Sequence, residues 1–356
     1  MSANIPRPME GSEGFEGSLA FERREADLVS VVAPVYNEED TIGEFHSRVV
    51  AALDGVEFEL LLVDDGSTDG TPALLDELAA RDERVGVVSL SRNFGHQAAL
   101  TAGLDHASGD VVVMLDSDLQ DPPELILTLL ERWRGGSDVV YAVRTSRAGE
   151  GRAKLATANW FYRLFSRLAQ IELSPNAGDY RLLDRRALEA LGSMRERNRF
   201  LRGMTVWVGF TQTAVPYERD ARFAGETKYT PRRMLRFSLD AISSFSHVPL
   251  QVATVLGFVV SAIAFLAIPV AIGFKIAGQF VSGITTVLLV VLLLGGIQLI
   301  TVGIIGEYLG RVYDEVKRRP LYLVKGRVNL PEGRVAELPP PPPTTEDGHE
   351  RERTSL

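Results

Sequence analysis

Two long segments without a charged side chain constrain this chain more than any other feature of its sequence. No Asp, Glu, Lys or Arg occurs between residues 248 and 274, and none occurs between residues 276 and 306. Each segment exceeds the roughly 20 apolar residues that a helix needs to cross the core of a bilayer. A pair of helices buried in a soluble core is the alternative, but uncharged runs of this length are rare there. The sequence therefore predicts two transmembrane helices within residues 248–310.

The charged residues beside these segments indicate how the spans are oriented. Residues 219–236 contain six Lys or Arg against two acids, and residues 311–327 likewise contain six against two. Because cytoplasmic flanks carry an excess of basic residues, we expect both flanks and both termini in the cytoplasm. Residues 219–247 also mix Arg with Leu, Phe and Ile. This mixture predicts an amphipathic helix in the membrane interface or, alternatively, a helix packed on the soluble part of the chain.

Composition separates two tails from the rest of the chain. The formal charge of −9 lies mainly in residues 1–27 and 331–356, because each tail contains three Arg against six acids. Both tails are polar, and the second contains five consecutive prolines, so we expect both to be disordered. The first tail lacks the apolar stretch of a signal peptide. A cytoplasmic segment, residues 311–330, joins the second span to the C-terminal tail.

Missing residue types and motifs exclude several classes of function. The chain has no cysteine, which excludes disulfides, thiol catalysis and cysteine-based zinc sites. It has no basic arm with interleaved aromatic residues, so we expect no nucleic-acid partner. Neither G-x-G-x-x-G nor the P-loop pattern occurs, and the sequence therefore gives no support to dinucleotide or P-loop binding.

Residues 28–218 alternate short apolar runs with helical patterns. Buried strands are predicted at LVSVVAPVYN, FELLLVDD, VGVVSLS, VVVMLD and DVVYAV. Helical patterns lie between or after these runs at Thr41–Leu53, Thr71–Ala80, Gln97–Ala107 and Pro123–Trp133. Strands that alternate with helices at this spacing indicate an α/β fold with a mostly parallel sheet.

Acidic residues follow several of the predicted strands. Asp64 and Asp65 end the second run, and Asp116 and Asp118 follow the run VVVML. In parallel α/β sheets, ligands bind outside the carboxyl ends of the strands. Carboxylates gathered there repel one another unless a cation or a hydrogen-bond donor lies between them, and Mg²⁺ or Mn²⁺ prefers such oxygen ligands. Gln120 adds a neutral oxygen. The alternative is that these acids form solvated turns and helix caps.

Six motifs, taken in order, resemble family-two glycosyltransferases with the GT-A fold. They are VSVVAPVYNEEDTI, LLLVDDGSTDGT, LSRNFGHQAALTAGLDHASGD, VVVMLDSDLQDPPE, NAGDYRLLDRRALEAL and FAGETKYTPRRMLRFSLDAISSFSHVPL. The last two motifs, followed by two spans, resemble those of bacterial polyprenyl-phosphate glycosyltransferases, which are relatives of dolichyl-phosphate mannose synthase. The likeness covers nearly everything outside the two tails.

The resemblance implies a role for each motif. The nucleotide sugar would be bound by Pro34, Tyr36, Glu38, Asp64 and Asp65. A Mg²⁺ or Mn²⁺ ion, and with it the donor diphosphate, would be bound by Asp116, Asp118 and Gln120. The acceptor phosphate would be held by Arg222 and Lys228.

Two further residues complete the predicted site. The resemblance puts Asp179 near the acceptor, as a catalytic residue; a structural acid paired with Arg181 is the alternative. Arg152 belongs to a basic, glycine-containing loop, which either closes over the acceptor phosphate or remains solvated.

The implied reaction is the inverting transfer of a hexose from a nucleotide sugar to polyprenyl phosphate at the cytoplasmic face of a bacterial plasma membrane. UDP-glucose is the predicted donor, and UDP-N-acetylglucosamine, another UDP-sugar and GDP-mannose remain alternatives. A processive polysaccharide synthase is less favoured, because Q-x-x-R-W is absent and two spans are few for a polymer channel. A non-catalytic membrane scaffold is disfavoured by the presence of both the acidic and the basic motifs.

A few conspicuous residues receive simpler interpretations. His96 is predicted to be a surface or packing residue, and Asp121 a turn residue or cap of the following helix. Gly295, Gly296 and Gly303 favour packing between spans of neighbouring subunits, which predicts a homo-oligomer.

Overall fold

The structure of this chain, a computed structural model, describes residues 24–145, 177–218, 248–277 and 283–330. Its strands are β1 Val29–Val35, β2 Phe58–Asp64, β3 Val85–Leu90, β4 Val111–Met114, β5 Val139–Arg144, β6 Ala177–Asp184, β7 Gln212–Tyr217 and β8 Val324–Val328. Its helices are α1 Ile42–Ala52, α2 Thr71–Arg81, α3 His96–His106, α4 Leu125–Arg134, α5 Arg185–Ser193, α6 Leu201–Trp207, α7 Val248–Ile276 and α8 Ile284–Val316.

The strands form one mixed sheet in the order β7-β5-β6-β4-β1-β2-β3-β8. Strand β1 pairs in parallel with β2 and β4, and β2 pairs in parallel with β3. Strands β5 and β7 are also parallel, whereas β6 and β8 run antiparallel to their neighbours. The predicted α/β class with a mostly parallel sheet is confirmed.

Helices cover both faces of the sheet, because the central strands are apolar on both faces. Val31 and Ala33 belong to a core cluster with residues of α1, α2 and α4. The intervening Val32 belongs to a second cluster, with residues of α3, α5 and α6. Successive residues of a strand point to opposite faces, so an uninterrupted apolar run can supply two cores. This double burial explains why the strands β1 to β5 were predictable as continuous apolar runs.

Strands β6, β7 and β8 were not predicted from the sequence. Strand β6 carries Asp179, Arg181 and Asp184 within an otherwise apolar segment, and β8 is short and basic. Their polar residues obscure the hydrophobic signal that marks the other strands. Because β6 is antiparallel to β4, its first residues lie at the sheet edge where β4 ends.

The C-terminal strand β8 joins the sheet although it follows the second long helix. It pairs antiparallel with β3, from Val87 opposite Val328 to Leu90 opposite Val324. The Asn329 side chain donates hydrogen bonds to the carbonyls of Ala79 (2.7 Å) and Val85 (3.0 Å). The sheet therefore includes part of the segment 311–330, which lies outside the predicted α/β domain of residues 28–218.

Helices α7 and α8 coincide with the two apolar segments. Each contains a window long and apolar enough to cross a membrane, Leu250–Ala267 and Leu293–Val316. No residue of the second window is buried, and side chains such as Phe265 and Leu299 are about three-quarters exposed, at 75% and 74%. A buried pair of soluble helices would not leave such apolar surface uncovered. Exposure of this kind favours a membrane environment for both helices.

Candidate functional site

A crevice of about 290 Å³ opens at the carboxyl edge of the sheet, beside the ends of β1, β2 and β4. Six of the predicted site residues line it: Pro34, Tyr36, Glu38, Asp65, Asp116 and Asp118. Tyr36 is 45% exposed. A smaller cavity of about 150 Å³ lies between α3 and α5 and contains none of the predicted residues. Of these two cavities in the described part of the chain, the larger lies at the edge of the sheet where ligands were expected.

The D-x-D-x-Q turn follows β4 and is anchored to the end of β1. Ser117 donates its hydroxyl hydrogen to the Pro34 carbonyl at 2.8 Å, and Asp118 Oδ1 accepts a hydrogen bond from the backbone N–H of Gln120 at 3.1 Å. Leu119, between them, has a φ of 59°, which is unfavourable for a bulky side chain. Strained backbone of this kind recurs at functional sites.

Two oxygens of this turn lack a hydrogen-bond partner. They are Oδ1 of Asp116 and Oε1 of Gln120, and both atoms are buried. A buried oxygen without a donor is costly, and a hard divalent cation is the kind of partner that satisfies it. Among the described residues no group of three or more His, Asp or Glu side chains is arranged to hold a metal. The D-x-D-x-Q turn offers two carboxylates and one amide as oxygen donors, and two of its oxygens are buried without a hydrogen-bond partner.

The environment of Asp116 disfavours its negative charge. Burial raises the pKa of Asp116 to about 6; His96 opposes this rise, whereas the carboxylates of Asp179, Asp121 and Asp118 add to it. The His96 ring nitrogen Nε2 lies 3.6 Å from Asp116 Oδ1. A cation bound to the turn would relieve the same repulsion between neighbouring carboxylates.

Asp179 is buried at the start of β6 and is held by two basic side chains. Arg202 donates to both of its oxygens, at 2.7 and 3.1 Å, and Nε2 of His96 lies 3.2 Å from Oδ2. Burial alone would raise the pKa of Asp179, but the charge of Arg202 and the hydrogen bond with His96 lower it below its usual range. The predicted alternative paired Asp179 with Arg181, and this partner is wrong. Arg181 instead donates to the carbonyl of Gly178 at 3.0 Å and to the Thr205 hydroxyl.

His96 is exposed, as its interpretation as a surface or packing residue predicted, and it also contacts two carboxylates that the sequence did not suggest. It begins α3, and its ring lies between Asp179 and Asp116 while its side chain remains 43% exposed in the crevice. Partial burial would lower the pKa of His96, but the hydrogen bond with Asp179 and the charge of Asp116 raise it. The sequence signal that was missed is positional, because His96 follows the end of β3 at the same edge of the sheet.

Asp64 and Asp65 are both buried, and the carboxylate of each accepts hydrogen bonds from backbone N–H groups. Asp64 Oδ1 accepts from Ser67 at 2.9 Å. Asp65 accepts from Phe94 at 2.7 Å and from Gly95 at 2.9 Å, one bond to each carboxylate oxygen. Burial raises the pKa of Asp65, and these N–H groups oppose the rise. In this structure Asp65 thus holds the loop before α3 against the crevice.

Asp121 lies in the bend between β4 and α4, as predicted for a turn residue, but it does not cap the following helix. Its carboxylate is buried and accepts a hydrogen bond from the Tyr217 hydroxyl, whereas helix α4 begins after Glu124 without a side-chain cap. Three other predicted site residues lie outside the described part of the chain; they are Arg152, Arg222 and Lys228.

Replacing Arg202 by Met should destabilise the protein, because it would leave the buried charge of Asp179 without its bidentate partner. We expect a loss of about 3 kcal/mol near neutral pH. The folded-state pKa of Asp179 is depressed, so the stability that Arg202 provides is fully present above the unfolded pKa, near 4, and is lost progressively as the pH falls from there towards the lower folded-state pKa. Thermal unfolding of both proteins at pH 7 and pH 3.5 would show a smaller difference at the lower pH. A difference that grows on acidification would contradict this assignment.

Comparison with known proteins identifies relatives that match most of this chain. The sequence profile of glycosyl transferase family 2 matches residues 30–192. An uncharacterized glycosyltransferase of Bacillus subtilis (strain 168), YkcC, is 47% identical over 83% of this chain and 93% of its own length. The bactoprenol glucosyl transferase of Shigella phage SfII is 42% identical over 83% of this chain and 97% of its own length.

Solved structures include more distant likenesses. Mannosyl-3-phosphoglycerate synthase from Rubrobacter xylanophilus superposes with a TM-score of 0.44 at 23% identity, over 61% of this chain and 72% of that chain.

Proposed function

The chain belongs to glycosyl transferase family 2, and from that premise we propose that it transfers glucose from UDP-glucose to a polyprenyl phosphate at the cytoplasmic face of the membrane. The observation that carries the proposal is the D-x-D-x-Q turn at the mouth of the crevice, with buried oxygens of Asp116 and Gln120 that lack a hydrogen-bond partner. The named relative supports the choice of glucose and of the lipid, because the two chains match over nearly the whole relative.

The donor would occupy the crevice at the carboxyl edge. Tyr36 exposes an aromatic ring on which a base can stack, and Pro34, Glu38 and Asp65 line the same opening. Asp116, Asp118 and Gln120 would hold Mg²⁺ or Mn²⁺ beside the diphosphate. When bound, the divalent cation stabilises the negative charge that develops on the leaving diphosphate. The turn is anchored through Ser117, so these side chains approach the diphosphate from a fixed backbone.

The acceptor phosphate needs to be positioned rather than deprotonated. A lipid phosphate is already anionic at neutral pH, so it does not need a strong base to remove a proton. Asp179 is a weak base, because Arg202 and His96 depress its pKa. We therefore expect Asp179 to act by holding these two basic side chains at the crevice. Arg222 and Lys228 would hold the phosphate opposite the leaving diphosphate, an arrangement that inverts the sugar.

A donor panel tests the proposed reaction. Purified full-length protein in lipid nanodiscs would be incubated with UDP-glucose, UDP-N-acetylglucosamine or GDP-mannose, with and without polyprenyl phosphate and with Mg²⁺, Mn²⁺ or a chelator. We expect a lipid-linked hexose, identified by mass, only with UDP-glucose, lipid and metal together. A product from another donor would change the assigned sugar. No lipid-dependent product with any donor would refute the transferase.

Replacing Lys228 by Ala should weaken use of the lipid more than binding of the nucleotide. Loss of one phosphate-binding cation is expected to raise the KM for polyprenyl phosphate by about ten-fold, with the affinity for UDP changed by less than about two-fold. Lys325→Ala is the matched control, because Lys325 is an exposed lysine on β8. Equal losses for lipid and nucleotide would assign Lys228 to the donor instead.

Membrane orientation and assembly remain proposals with separate support. The basic flanks of the spans support a cytoplasmic crevice. Gly295, Gly296 and Gly303 lie on α8, and small residues of this kind support the proposal that α8 packs against a second copy.

A further inference from the structure

A cluster of three side chains lies directly beside the D-x-D-x-Q turn and is not used by the proposed reaction. The Tyr217 hydroxyl donates to Asp121 Oδ1 and accepts a hydrogen bond from Arg144 Nε at 3.1 Å. The Arg144 guanidinium also approaches the same carboxylate, with Nη2 3.9 Å from Oδ1. Asp121 is 1% exposed and Tyr217 is 6% exposed, so this polar contact is made away from water.

The three residues belong to three different parts of the sheet edge. Asp121 follows Gln120 in the donor turn, Arg144 is the last residue of β5, and Tyr217 is the last residue of β7. The two strand ends are also joined through Thr145, whose backbone N–H donates to the Tyr217 carbonyl at 2.9 Å. The chain continues from β5 towards Arg152 and from β7 towards Arg222, two of the predicted acceptor residues.

We propose that Tyr217 and Asp121 are positioning residues, which hold the donor turn in register with the two strand ends that lead to the acceptor residues. The inference rests on the proposed function, because it assigns donor and acceptor to the two sides of this contact. Neither residue is a catalytic residue in this account. Their effect on the reaction would come from the distance between the bound diphosphate and the bound lipid phosphate.

The protonation and charge of these three side chains favour a stable hydrogen-bonded contact between the donor turn and the ends of β5 and β7. Burial and the hydrogen bond with Asp121 raise the pKa of Tyr217 to about 12, so the phenol keeps its proton and remains a donor at neutral pH. Arg144 compensates the charge of the buried carboxylate, which would otherwise disfavour burial. The Tyr217 ring packs edge-on against Tyr180, with centroids 6.2 Å apart, and the Tyr180 hydroxyl donates to the Pro122 carbonyl at 3.0 Å. The turn is thus held by its backbone as well as by Asp121.

The chain offers a chemically matched cluster far from the crevice. The Tyr322 hydroxyl donates to Asp105 Oδ2 at 2.8 Å, and Arg195 pairs with both oxygens of that carboxylate at 2.8 and 2.9 Å. This second tyrosine–aspartate–arginine cluster lies at the C-terminal end of α3, where it fastens the chain that follows α8. Removing the Tyr322 hydroxyl should destabilise the fold about as much as removing the Tyr217 hydroxyl. It should not change the position of the donor turn relative to the acceptor residues.

The test compares Tyr217→Phe with Tyr322→Phe in the full-length protein in nanodiscs. Four quantities would be measured: the thermal unfolding midpoint, the affinity for UDP with Mn²⁺, kcat for transfer to polyprenyl phosphate, and the ratio of lipid-linked glucose to free glucose. For Tyr217→Phe we expect kcat for transfer to fall by roughly ten- to a hundred-fold, with UDP affinity within about two-fold of the original. The share of free glucose should rise, because water would take the glucosyl group in place of the misplaced lipid phosphate, with UDP still the leaving group.

The expected control result is that Tyr322→Phe lowers the unfolding midpoint but leaves kcat and the product ratio unchanged. If the two variants lose kcat to the same extent, or if Tyr217→Phe loses UDP affinity as strongly as kcat, the positioning role is overturned while the transferase stands. If the unmodified protein forms no lipid-linked product with any donor, the proposed function fails, and this inference fails with it.

Discussion

Replacing Asp118 by Asn should lower turnover by about a thousand-fold while the protein remains folded and membrane-bound. Asn keeps the shape of the side chain and an oxygen that can accept the Gln120 N–H, so the turn should persist. It removes one of the two carboxylates that would hold the divalent cation. Loss of a group that stabilises developing negative charge typically costs two to three orders of magnitude in rate. The measurement is lipid-linked glucose formed per minute, together with Mn²⁺ binding in the absence of donor.

Asp76→Asn provides the matched control for this substitution, because Asp76 is an exposed acid on α2. We expect it to leave both turnover and Mn²⁺ binding unchanged. The Asp118 variant should retain the unfolding midpoint and the membrane-fraction yield of the unmodified protein. Undiminished turnover with weakened Mn²⁺ binding would separate the metal from the reaction, and unchanged Mn²⁺ binding would remove Asp118 from the proposed ligand set.

Ending the chain after residue 319 should prevent stable folding, whereas ending it after residue 330 should not. The shorter chain loses β8, which leaves the hydrogen-bonding groups of β3 unpaired at the sheet edge. It also loses the Tyr322 hydroxyl on Asp105 and the two hydrogen bonds of Asn329. Several buried or half-buried hydrogen bonds at about 1 kcal/mol each, together with apolar burial, approach the whole stability of an ordinary domain.

The two truncated chains would be compared by protease resistance and thermal unfolding after extraction from the membrane. The chain ending at residue 330 lacks only the proline-rich tail, and its unfolding midpoint should stay within about 2 °C of the full-length value. A folded and active chain ending at residue 319 would contradict the structural role of β8. The sequence alone did not suggest this experiment, because β8 lies beyond the second span.

Much of the site was predictable because its residues follow strongly apolar strands. Strands β1, β2 and β4 can be recognised in the sequence as continuous apolar runs. The residues immediately after them meet at one edge of a parallel sheet. This is why Tyr36, Asp65 and Asp116 could be expected in the same crevice from their positions alone. Their individual contacts were not predictable. Asp65, for example, uses both carboxylate oxygens to bind the loop before α3.

Contacts between distant parts of the chain account for the errors. His96 and Asp179 are 83 residues apart, and Asp121 and Tyr217 are 96 residues apart. The partner of Asp179 is Arg202, 23 residues away on α6, and not its neighbour Arg181. Side chains that meet across elements leave no periodic signal, so inspection of the local sequence favoured a nearby arginine for Asp179 and did not suggest the contacts of His96.

By itself, the sequence determined the apolar segments of α7 and α8 and the alternation of β1 to β5 with helices. It also determined which strands are followed by acids. These features depend on hydrophobic runs and local turns, which are properties of neighbouring residues. Only the tertiary structure decided that β6 runs antiparallel, that β8 pairs with β3 at the edge of the sheet, and that His96 and Arg202 both contact Asp179. The physical reason is that strand pairing and buried charge compensation are settled by which surfaces meet when the chain folds.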